Sequence, residues 1–414
     1  MRRRVTLLAA RLVTKVFMQK PNQKGAALII FALILVLAAT AFMVSQLDSS
    51  GINIERDKKT AGKFAQAKTA LIGSVISTAN IASPSYLPNP DLKLGATIEG
   101  RQALSSGAVD ISLIGKFPWR ALGVSPLKDG WNECLWYVVS GRFKNFPSTS
   151  VFNWDTQGQI TVIDANGTIL ASNLAALIVS AGALLSGQDR QLAAIDTPQC
   201  GGNYDVRNYL DSYNLVNAVA GEVNYFAGST NNRQAPNANN KEFVLTKNDF
   251  YNDQFAFVTV DEIFRPLIRR SDFSVQVNAL LDDVEFKSHA QAIVVAGSKG
   301  TSNVNCATIL TNVNNKEFCD NWMEMLLLAE LPTTSPIIVD GAATTPCSRI
   351  LIFGGQKTGV QTRLSAANKN DPANYLEGIN LTEFNTPIAN GINFNGVSTF
   401  DVNISTSADI LRCL

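Results

Sequence analysis

The residues of this chain that could perform catalysis are few and poorly spaced for it. His289 is the only histidine, so a Ser–His–Asp or Cys–His mechanism would have to use it. It lies in a segment with helical spacing that contains no nucleophile elbow. Gly354–Gly359 contains glycines and a lysine, as a phosphate-binding loop does, but lacks the required spacing. We therefore expect a surface or boundary histidine, a hairpin turn at Gly354–Gly359, and no enzymatic activity.

Asp282, Asp283 and Glu285 form an acidic cluster on a predicted helix. Carboxylate oxygens are ligands for Ca²⁺, but an EF-hand needs alternating acids around a central glycine, and the cluster lacks that pattern. The favoured interpretation is a solvated helix face. The residues themselves therefore predict neither a metal site nor a cofactor.

The composition restricts the class of protein. The chain has 414 residues, of which 35 are basic and 34 are acidic. This balance, without a long basic patch, predicts no nucleic-acid partner. An apolar content of 46% is sufficient for a core, and the length favours two domains or one large domain with insertions.

An apolar run, Ala26–Val44, follows the dipeptide Lys24-Gly25 and has Thr40 as its one polar residue. As a helix it would be roughly long enough to cross a hydrocarbon core of about 30 Å. The charged residues before the run are all basic, and the first one after it, Asp48, is acidic. The positive-inside rule then predicts a single-pass membrane protein whose N-terminus is cytoplasmic and whose head, after Val44, is exported.

Three hypotheses account for this segment. It can be a plain anchor, or a secretory signal cleaved at the small-x-small site Ala39-Thr40-Ala41. It can also be a leader cut after Gly25, which would leave the apolar helix in the mature protein. Counted from Met18, such a leader is short, basic and polar, so that residues 1–17 could be an additional start. We favour the third hypothesis, and the sequence leaves the other two open.

All six cysteines follow the apolar run, and none forms a CxxC pair: Cys134, Cys200, Cys306, Cys319, Cys347 and Cys413. With a single histidine available, a zinc site is disfavoured. An even number of cysteines in an exported protein predicts disulfides, and six allow fifteen pairings. Proximity in sequence favours Cys306–Cys319, followed by Cys134–Cys200 and Cys347–Cys413, and buried free thiols are the alternative.

Hydrophobic periodicity predicts the elements that position these residues. Gly51–Thr78 has apolar residues at spacings of three and four, which predicts an amphipathic helix packed by one face on the head. Further patterns predict a hairpin at Gln159–Leu170, a buried helix or strand pair at Leu174–Leu185 and a strand at Asn252–Val260. They also predict three helices, at Asp261–Arg270 with Asp261 as its cap, at Ser274–Ala296 and at Glu317–Leu331.

A short sequence pattern occurs twice. Gln188-Asp189-Arg190 precedes Asn208–Leu215, and Gln361-Thr362-Arg363 precedes the similar segment Asn374–Leu381. The pattern indicates a duplicated subdomain or one recurring local structure in which arginine pairs with the acidic residue of the motif. We favour a structural role for Arg190 and Arg363 over a ligand site.

Aromatic residues cluster in the first part of the head. Phe117–Gly123 contains Pro118 and Trp119, and the turn Asp129-Gly130-Trp131 is followed by Leu135–Val139, a strand candidate. Large amphipathic side chains such as these can fix a turn on a sheet. We interpret Pro118, Trp119 and Trp131 as structural, and a sugar-binding platform is the less favoured alternative.

The Lys24-Gly25 junction with its apolar run, the Pro-Trp and Asp-x-Trp stretches, and Asn252–Phe264 together resemble large type IV prepilin-like and minor pseudopilin-like proteins. The resemblance implies cleavage after Gly25 by a prepilin peptidase and N-methylation of Ala26. It implies a single-pass protein of the bacterial inner membrane with its head in the periplasm, and other pilins or pseudopilins as partners. Calcium, which larger pseudopilins can bind, is the one cofactor that it suggests.

The resemblance also implies a fold and a role. The expected fold is α+β, with a long N-terminal transmembrane and amphipathic helix followed by a large pilin-like head with an antiparallel β-sheet and inserted helices. The expected regions are a leader (1–25), the helix (26–80, membrane part 26–44), a β-rich head (81–240) and a second α+β region (241–414). The expected role is a structural subunit of a type IV pilus or type II secretion filament.

Most pilins carry glutamate at the fifth mature position, where this chain has Ile30. The tip pseudopilin of type II secretion systems also lacks that glutamate and has a large head. The resemblance therefore implies a tip-located or initiating subunit, exposed on the pilus or cell surface if the filament reaches it. The alternative is an anchored, exported binding protein without a filament role.

Overall fold

The computed structural model describes residues 24–414, with gaps at 78–79, 83, 93–97, 105–107, 150, 192–198, 212–217, 220–221, 228–240, 249, 294–298, 301–305, 307–309, 355–356, 386–390 and 402–408. Its contacts divide the chain into two units, residues 1–58 and residues 59–414. The larger unit contains all the strands that the structure describes.

The first described helix, α1, extends from Lys24 to Ile76. In the larger unit its residues Phe64, Ala67, Leu71 and Val75 are buried in the main hydrophobic core. Their spacing places them on one face of the helix, so the prediction of an amphipathic helix is confirmed for this part of the chain. Burial of one such side chain, Leu71, contributes about 1.5–3 kcal/mol.

The prediction of a transmembrane helix over residues 26–44 is wrong. Among the described residues, no helix has the length and apolar content needed to cross a membrane. Within the predicted span the side chains are described for residues 32–40, and this length of helix covers roughly 14 Å of a hydrocarbon core of about 30 Å. The α+β class is confirmed, because helices and antiparallel sheets both occur.

Short strands make up the sheets of the larger unit. Their bounds are β1 Ile111–Lys116, β2 Trp136–Val139, β3 Ile160–Ile163, β4 Ile169–Leu174, β5 Ala176–Ser180, β6 Ala218–Val219, β7 Glu222–Ala227, β8 Lys241–Val244, β9 Gln254–Val258, β10 Lys299–Gly300, β11 Leu326–Ser335, β12 Ile338–Val339, β13 Ala342–Ala343, β14 Cys347–Phe353, β15 Asn395–Gly396 and β16 Ile410–Cys413.

Two of the sheets are fully antiparallel. The first has six strands in the order β6-β7-β1-β2-β5-β9, and the second has four in the order β10-β11-β14-β16. Two smaller mixed sheets have the orders β4-β3-β8 and β13-β12-β15. The central pair of strands is β1 with β2 in the first sheet and β11 with β14 in the second.

The first sheet is covered on both faces. Along β2, Tyr137 and Val139 belong to the main core, whereas Trp136 and Val138 belong to a second core. Successive side chains of a strand point to opposite faces, so β2 separates the two cores. Since the buried residues of α1 belong to the main core, this helix shares the core on the Tyr137 face of the sheet.

The helices after α1 are α2 Val260–Ile268, α3 Ser271–Leu281, α4 Val284–Ala292, α5 Val313–Trp322, α6 Ala366–Lys369 and α7 Gly378–Asn385. Single 3₁₀ turns lie at Val206–Asn208, Met323–Met325, Pro372–Asn374 and Gly391–Asn393. The helical spacing predicted for Ser274–Ala296 is thus divided between α3 and α4.

The sequence predicts Asp261 as the N-cap of α2, and this prediction is wrong. The N-cap is Thr259, whose side chain accepts from the Glu262 N–H while the Glu262 side chain accepts from the Thr259 N–H. This capping box satisfies two N–H groups of the first turn. Asp261 lies inside that turn, where its carboxylate accepts a hydrogen bond from Trp154 Nε1 at 2.7 Å.

The helix predicted over Glu317–Leu331 is wrong in its second half. Helix α5 ends at Trp322, and β11 begins at Leu326 and pairs with β14 in antiparallel register. A short apolar run such as Leu326–Leu328 fits a buried strand as well as a helix. The available edge of β14 decides between them, because it supplies the backbone hydrogen bonds. The hairpin predicted over Gln159–Leu170 is confirmed as β3 and β4.

Three disulfides lie in the larger unit and join residues 13 or 66 positions apart in the chain. Cys134 pairs with Cys200, Cys306 with Cys319, and Cys347 with Cys413, with Cα atoms 5.4, 5.7 and 5.6 Å apart. The third disulfide joins the start of β14 to the end of β16, so it fixes two neighbouring strands of the second sheet.

Candidate functional site

The aromatic residues singled out in the sequence have packing roles. Trp119 is 9% exposed. Its ring packs so closely on Gly100 that a Cβ atom added to this glycine would lie 2.3 Å from Trp119 Cε2. Gly100 also has a φ of +79°, which favours glycine. Pro118 is buried beside it, and Trp131 is half-buried and follows the turn capped by Asp129. A buried ring such as Trp119 presents no open stacking surface to a sugar.

The processing residues and the single histidine lie on helices. Gly25 and Ala26 are in the first turn of α1. His289 is a half-buried residue of α4, and its carbonyl accepts from the Ile293 N–H. Its Nε2 is buried and forms no hydrogen bond with any of the described residues. Of the loop Gly354–Gly359, residues 355–356 lie outside the described residues.

The carboxylates of the acidic cluster form ion pairs and hydrogen bonds with other residues of the chain. Asp282 forms ion pairs with Arg412 and Lys287, both at 3.0 Å, and these cations hold the pKa of Asp282 below its usual value against burial, which acts in the opposite direction. Glu285 accepts from the Thr311 hydroxyl and N–H. In the described part of the chain, no group of three or more His, Cys, Asp or Glu side chains could hold a metal ion.

The first copy of the repeated motif forms a clamp around Arg190. The guanidinium donates to the Asn208 carbonyl at 3.0 Å and to Gln188 Oε1 at 2.7 Å, and it stacks on the Tyr209 ring, with Cζ 5.0 Å from the centroid. Gln188 Nε2 in turn donates to Asp211 Oδ1 at 2.7 Å. The clamp follows β5 and holds the 3₁₀ turn against it.

The second copy repeats these contacts. Arg363 donates to the Asn374 carbonyl at 2.5 Å and to Gln361 Oε1 at 3.2 Å, and its Cζ lies 4.2 Å from the centroid of the Tyr375 ring. Gln361 Nε2 donates to Glu377 Oε1 at 2.7 Å. This clamp follows β14 in the second sheet, as the first follows β5 in the first sheet.

The predicted pairing inside the motif needs a correction. The acidic residues of the motif, Asp211 and Glu377, accept from the glutamines and not from the arginines. Arg190 also donates to the backbone carbonyls of Ala181, Gly182 and Ala183. The ion pairs of the two arginines involve carboxylates from elsewhere in the chain: Glu133 lies 3.7 Å from Arg190, and Asp155 lies 3.5 Å from Arg363.

A pocket of about 200 Å³ opens beside the second clamp. It is lined by residues 154–157, 172–173 and 259–261, and by Lys357, Arg363 and Leu364. The turn at residues 154–157 leads into β3, residues 172–173 belong to β4, and residues 259–261 begin α2. Asn173 has a φ of +54°, a conformation that asparagine tolerates better than most residues.

The electrostatics of this pocket centre on Asp155. Its side chain is fully buried, and burial raises the pKa of Asp155, while Arg363 and, more weakly, Lys369 and Lys357 oppose that rise. Asp155 Oδ2 has no hydrogen-bond partner among the described residues. Gln157 Nε2 donates to the Leu364 carbonyl, and Gln157 Oε1 is likewise without a partner there. The pocket therefore contains two buried acceptors that lack donors.

A second buried ion pair supports the same region. Lys369 lies 2.8 Å from Glu324, and both side chains are 7% exposed. Asn153 Nδ2 donates to Glu324 Oε2 at 3.3 Å and to the Asn321 carbonyl at 2.8 Å. The turn that carries Asp155 is thus fixed to α5 and to the segment after it.

Sequence reasoning identified Arg363 but missed Asp155, Gln157 and Lys357 as parts of one site. Asp155 and Lys357 are separated by about half the chain, and no short motif joins them. The Gln-x-Arg repeat was the one signal that pointed to this place. Comparison of the chain with family models, with curated proteins and with solved structures gives no match.

Proposed function

We propose that this chain is a minor, pilin-like structural subunit of an exported filament of the type IV pilus or type II secretion class. In this proposal a prepilin peptidase cleaves it after Gly25, Ala26 is methylated, and its partners are other pilins or pseudopilins. Ile30, in place of the usual glutamate, assigns it to the tip or to the start of assembly.

The observation that carries the proposal is the change in exposure along α1. Residues Phe64–Val75 place one face in the main core, whereas the aliphatic residues Leu33–Leu37 are 57–60% exposed on every side of the helix. A helix that is apolar all round needs other apolar surface to cover it. In the proposed filament, the equivalent helices of neighbouring subunits provide that surface.

The cysteines support export. The six cysteines of the chain are all engaged in disulfides. Disulfides form and persist in oxidising compartments such as the periplasm. This supports a head that folds outside the cytoplasm, where a filament subunit would function.

Mass spectrometry of the mature N-terminus tests the proposal. We expect a methylated N-terminal peptide that begins at Ala26 in cells with prepilin peptidase, and an uncleaved chain in cells without it. Gly25→Leu should abolish cleavage. Gly51→Leu is the matched control, since Gly51 lies in the same helix and its added Cβ would meet nothing within 4 Å. An N-terminus after Ala41, or the same N-terminus without the peptidase, would overturn the proposal.

Photo-crosslinking tests the covering of α1. A photoreactive amino acid at Leu35, which is 57% exposed, should give adducts with other filament subunits. The control position is Val360, which is 92% exposed and lies in a loop of the larger unit. Equal adduct yields at the two positions would contradict a specific role of the helix in assembly.

A second candidate function is that of an exported binding protein without a filament role. The pocket with two unpartnered buried acceptors favours it. The two candidates differ in the test above, because a binding protein needs neither cleavage after Gly25 nor contacts between helices.

A further inference from the structure

The pocket beside the second clamp has one wall that can accept hydrogen bonds. Asp155 Oδ2 and Gln157 Oε1 are buried acceptors without a partner among the described residues. Buried polar atoms in native proteins are nearly always paired, so each exception needs an explanation. A ligand group with several donors, such as an ammonium group, would satisfy both atoms.

Groups that can bind an anion also line the pocket. Lys357 is half-buried and forms no ion pair within the part of the chain that the structure describes. The start of α2 lies on the same pocket, and its capping box leaves the N–H groups of Val260 and Asp261 without an acceptor inside the helix. A lysine and a helix N-terminus together attract a carboxylate.

The charges and the size restrict the ligand. Two carboxylates, Asp155 and Asp261, and two cations, Arg363 and Lys357, line the pocket, so it offers both signs of charge to a ligand that carries both. A metal ion is disfavoured because both cations line the same space. The pocket volume of about 200 Å³ lies below the roughly 300–1,000 Å³ of sites that enclose a drug-sized ligand, which favours a small molecule.

We propose that this pocket binds a small free α-amino acid as its zwitterion. The ammonium group donates to Asp155 Oδ2 and Gln157 Oε1, and the carboxylate accepts from Lys357 and from the N-terminus of α2. Alanine and serine are small amino acids that carry both groups. The inference concerns the head alone, so it stands or falls independently of cleavage after Gly25.

Titration calorimetry of the oxidised full chain tests this proposal. We expect saturable binding of L-alanine or L-serine. N-acetylalanine lacks the ammonium group and alaninamide lacks the carboxylate, and each should bind at least about tenfold more weakly, as the loss of one charged hydrogen-bonding group predicts. Binding of both derivatives as tight as that of alanine, binding of glucose but of no amino acid, or no binding of any amino acid at millimolar concentration would overturn the proposal.

A matched pair of variants locates the ligand. Lys357→Met should weaken alanine binding at least about tenfold, and because Lys357 is half-buried and forms no ion pair with the described residues, the variant should fold normally. Lys59→Met makes the same substitution at an exposed position of α1 that does not line the pocket, and it should bind as the unmodified chain does. Equal affinities of the two variants would place the ligand elsewhere and overturn the assignment.

Discussion

Arg363 and Asp155 form a buried ion pair between residues that are 208 positions apart in the chain. Their side chains are 1% and 0% exposed, and Nη1 lies 3.5 Å from Oδ1. Arg363 also belongs to the second clamp, and Asp155 belongs to the turn before β3. The pair therefore joins the first part of the head to the second and forms one wall of the pocket.

Replacing the buried Arg363 should lower the free energy of unfolding. Arg363→Met leaves Asp155 as an unpaired buried charge, and we expect a loss of about 3–5 kcal/mol in the free energy of unfolding. Urea unfolding with the disulfides intact measures it. Arg207→Met is the control, because the pair of Arg207 with Asp205 is exposed and should contribute at most about 1 kcal/mol. Equal effects of the two variants would contradict a structural role of the buried pair.

The two clamps should be energetically equivalent. Gln188→Leu and Gln361→Leu each remove the donor to a partly buried carboxylate, Asp211 or Glu377. Burial already raises the pKa of both carboxyl groups, so we expect each variant to lose about 1–3 kcal/mol of stability. Gln66→Leu, at an exposed position of α1, should change stability by less than about 0.5 kcal/mol. A large effect in one clamp alone would show that the copies differ in function.

The core face of α1 should determine the stability of the head. Leu71→Ala creates a cavity in the main core, and we expect a loss of about 2–5 kcal/mol in chemical unfolding. Leu33→Ala removes the same atoms from a side chain that is 60% exposed, so its effect on the unfolding of the isolated chain should be within about 0.5 kcal/mol. The opposite order would contradict the packing of α1.

Lys144 should make stability rise with pH in the alkaline range. Burial lowers the pKa of Lys144 from 10.5 to about 8 in the folded protein. Between about pH 8 and pH 10 the unfolded chain therefore binds more protons at this position than the folded chain, so the free energy of unfolding increases with pH. Below pH 8 both states are protonated and the slope from this group vanishes.

Unfolding of Lys144→Met measured across the same range provides the comparison. The variant should lose most of the alkaline increase, because methionine does not titrate. Above about pH 10 the raised pKa of Tyr86, about 12, acts in the opposite direction, so the measurement should end there. An unchanged slope in the variant would assign the pH dependence to another group.

Local features of this protein could be predicted from its sequence. The apolar spacing of Phe64, Leu71 and Val75 predicts the core face of α1, and the turn signal at Asp164–Gly167 predicts the β3–β4 hairpin, because both patterns depend on neighbours within a few residues. The capping box of Thr259 and Glu262 is likewise a local pattern, Thr-x-x-Glu before an apolar run, that predicts Thr259 and not Asp261 as the N-cap. The Gln-x-Arg repeat indicated two equivalent local structures.

Only the tertiary structure decided the partners across long distances. The sequence could not show that Arg363 meets Asp155, that Arg190 meets Glu133, or that Leu326–Leu328 becomes a strand on β14, because each depends on segments brought together by folding. The pocket has the same origin, since its donors and acceptors come from separate parts of the chain. Periodicity and capping determine which elements form, and burial of apolar surface then determines which charges are left facing one another.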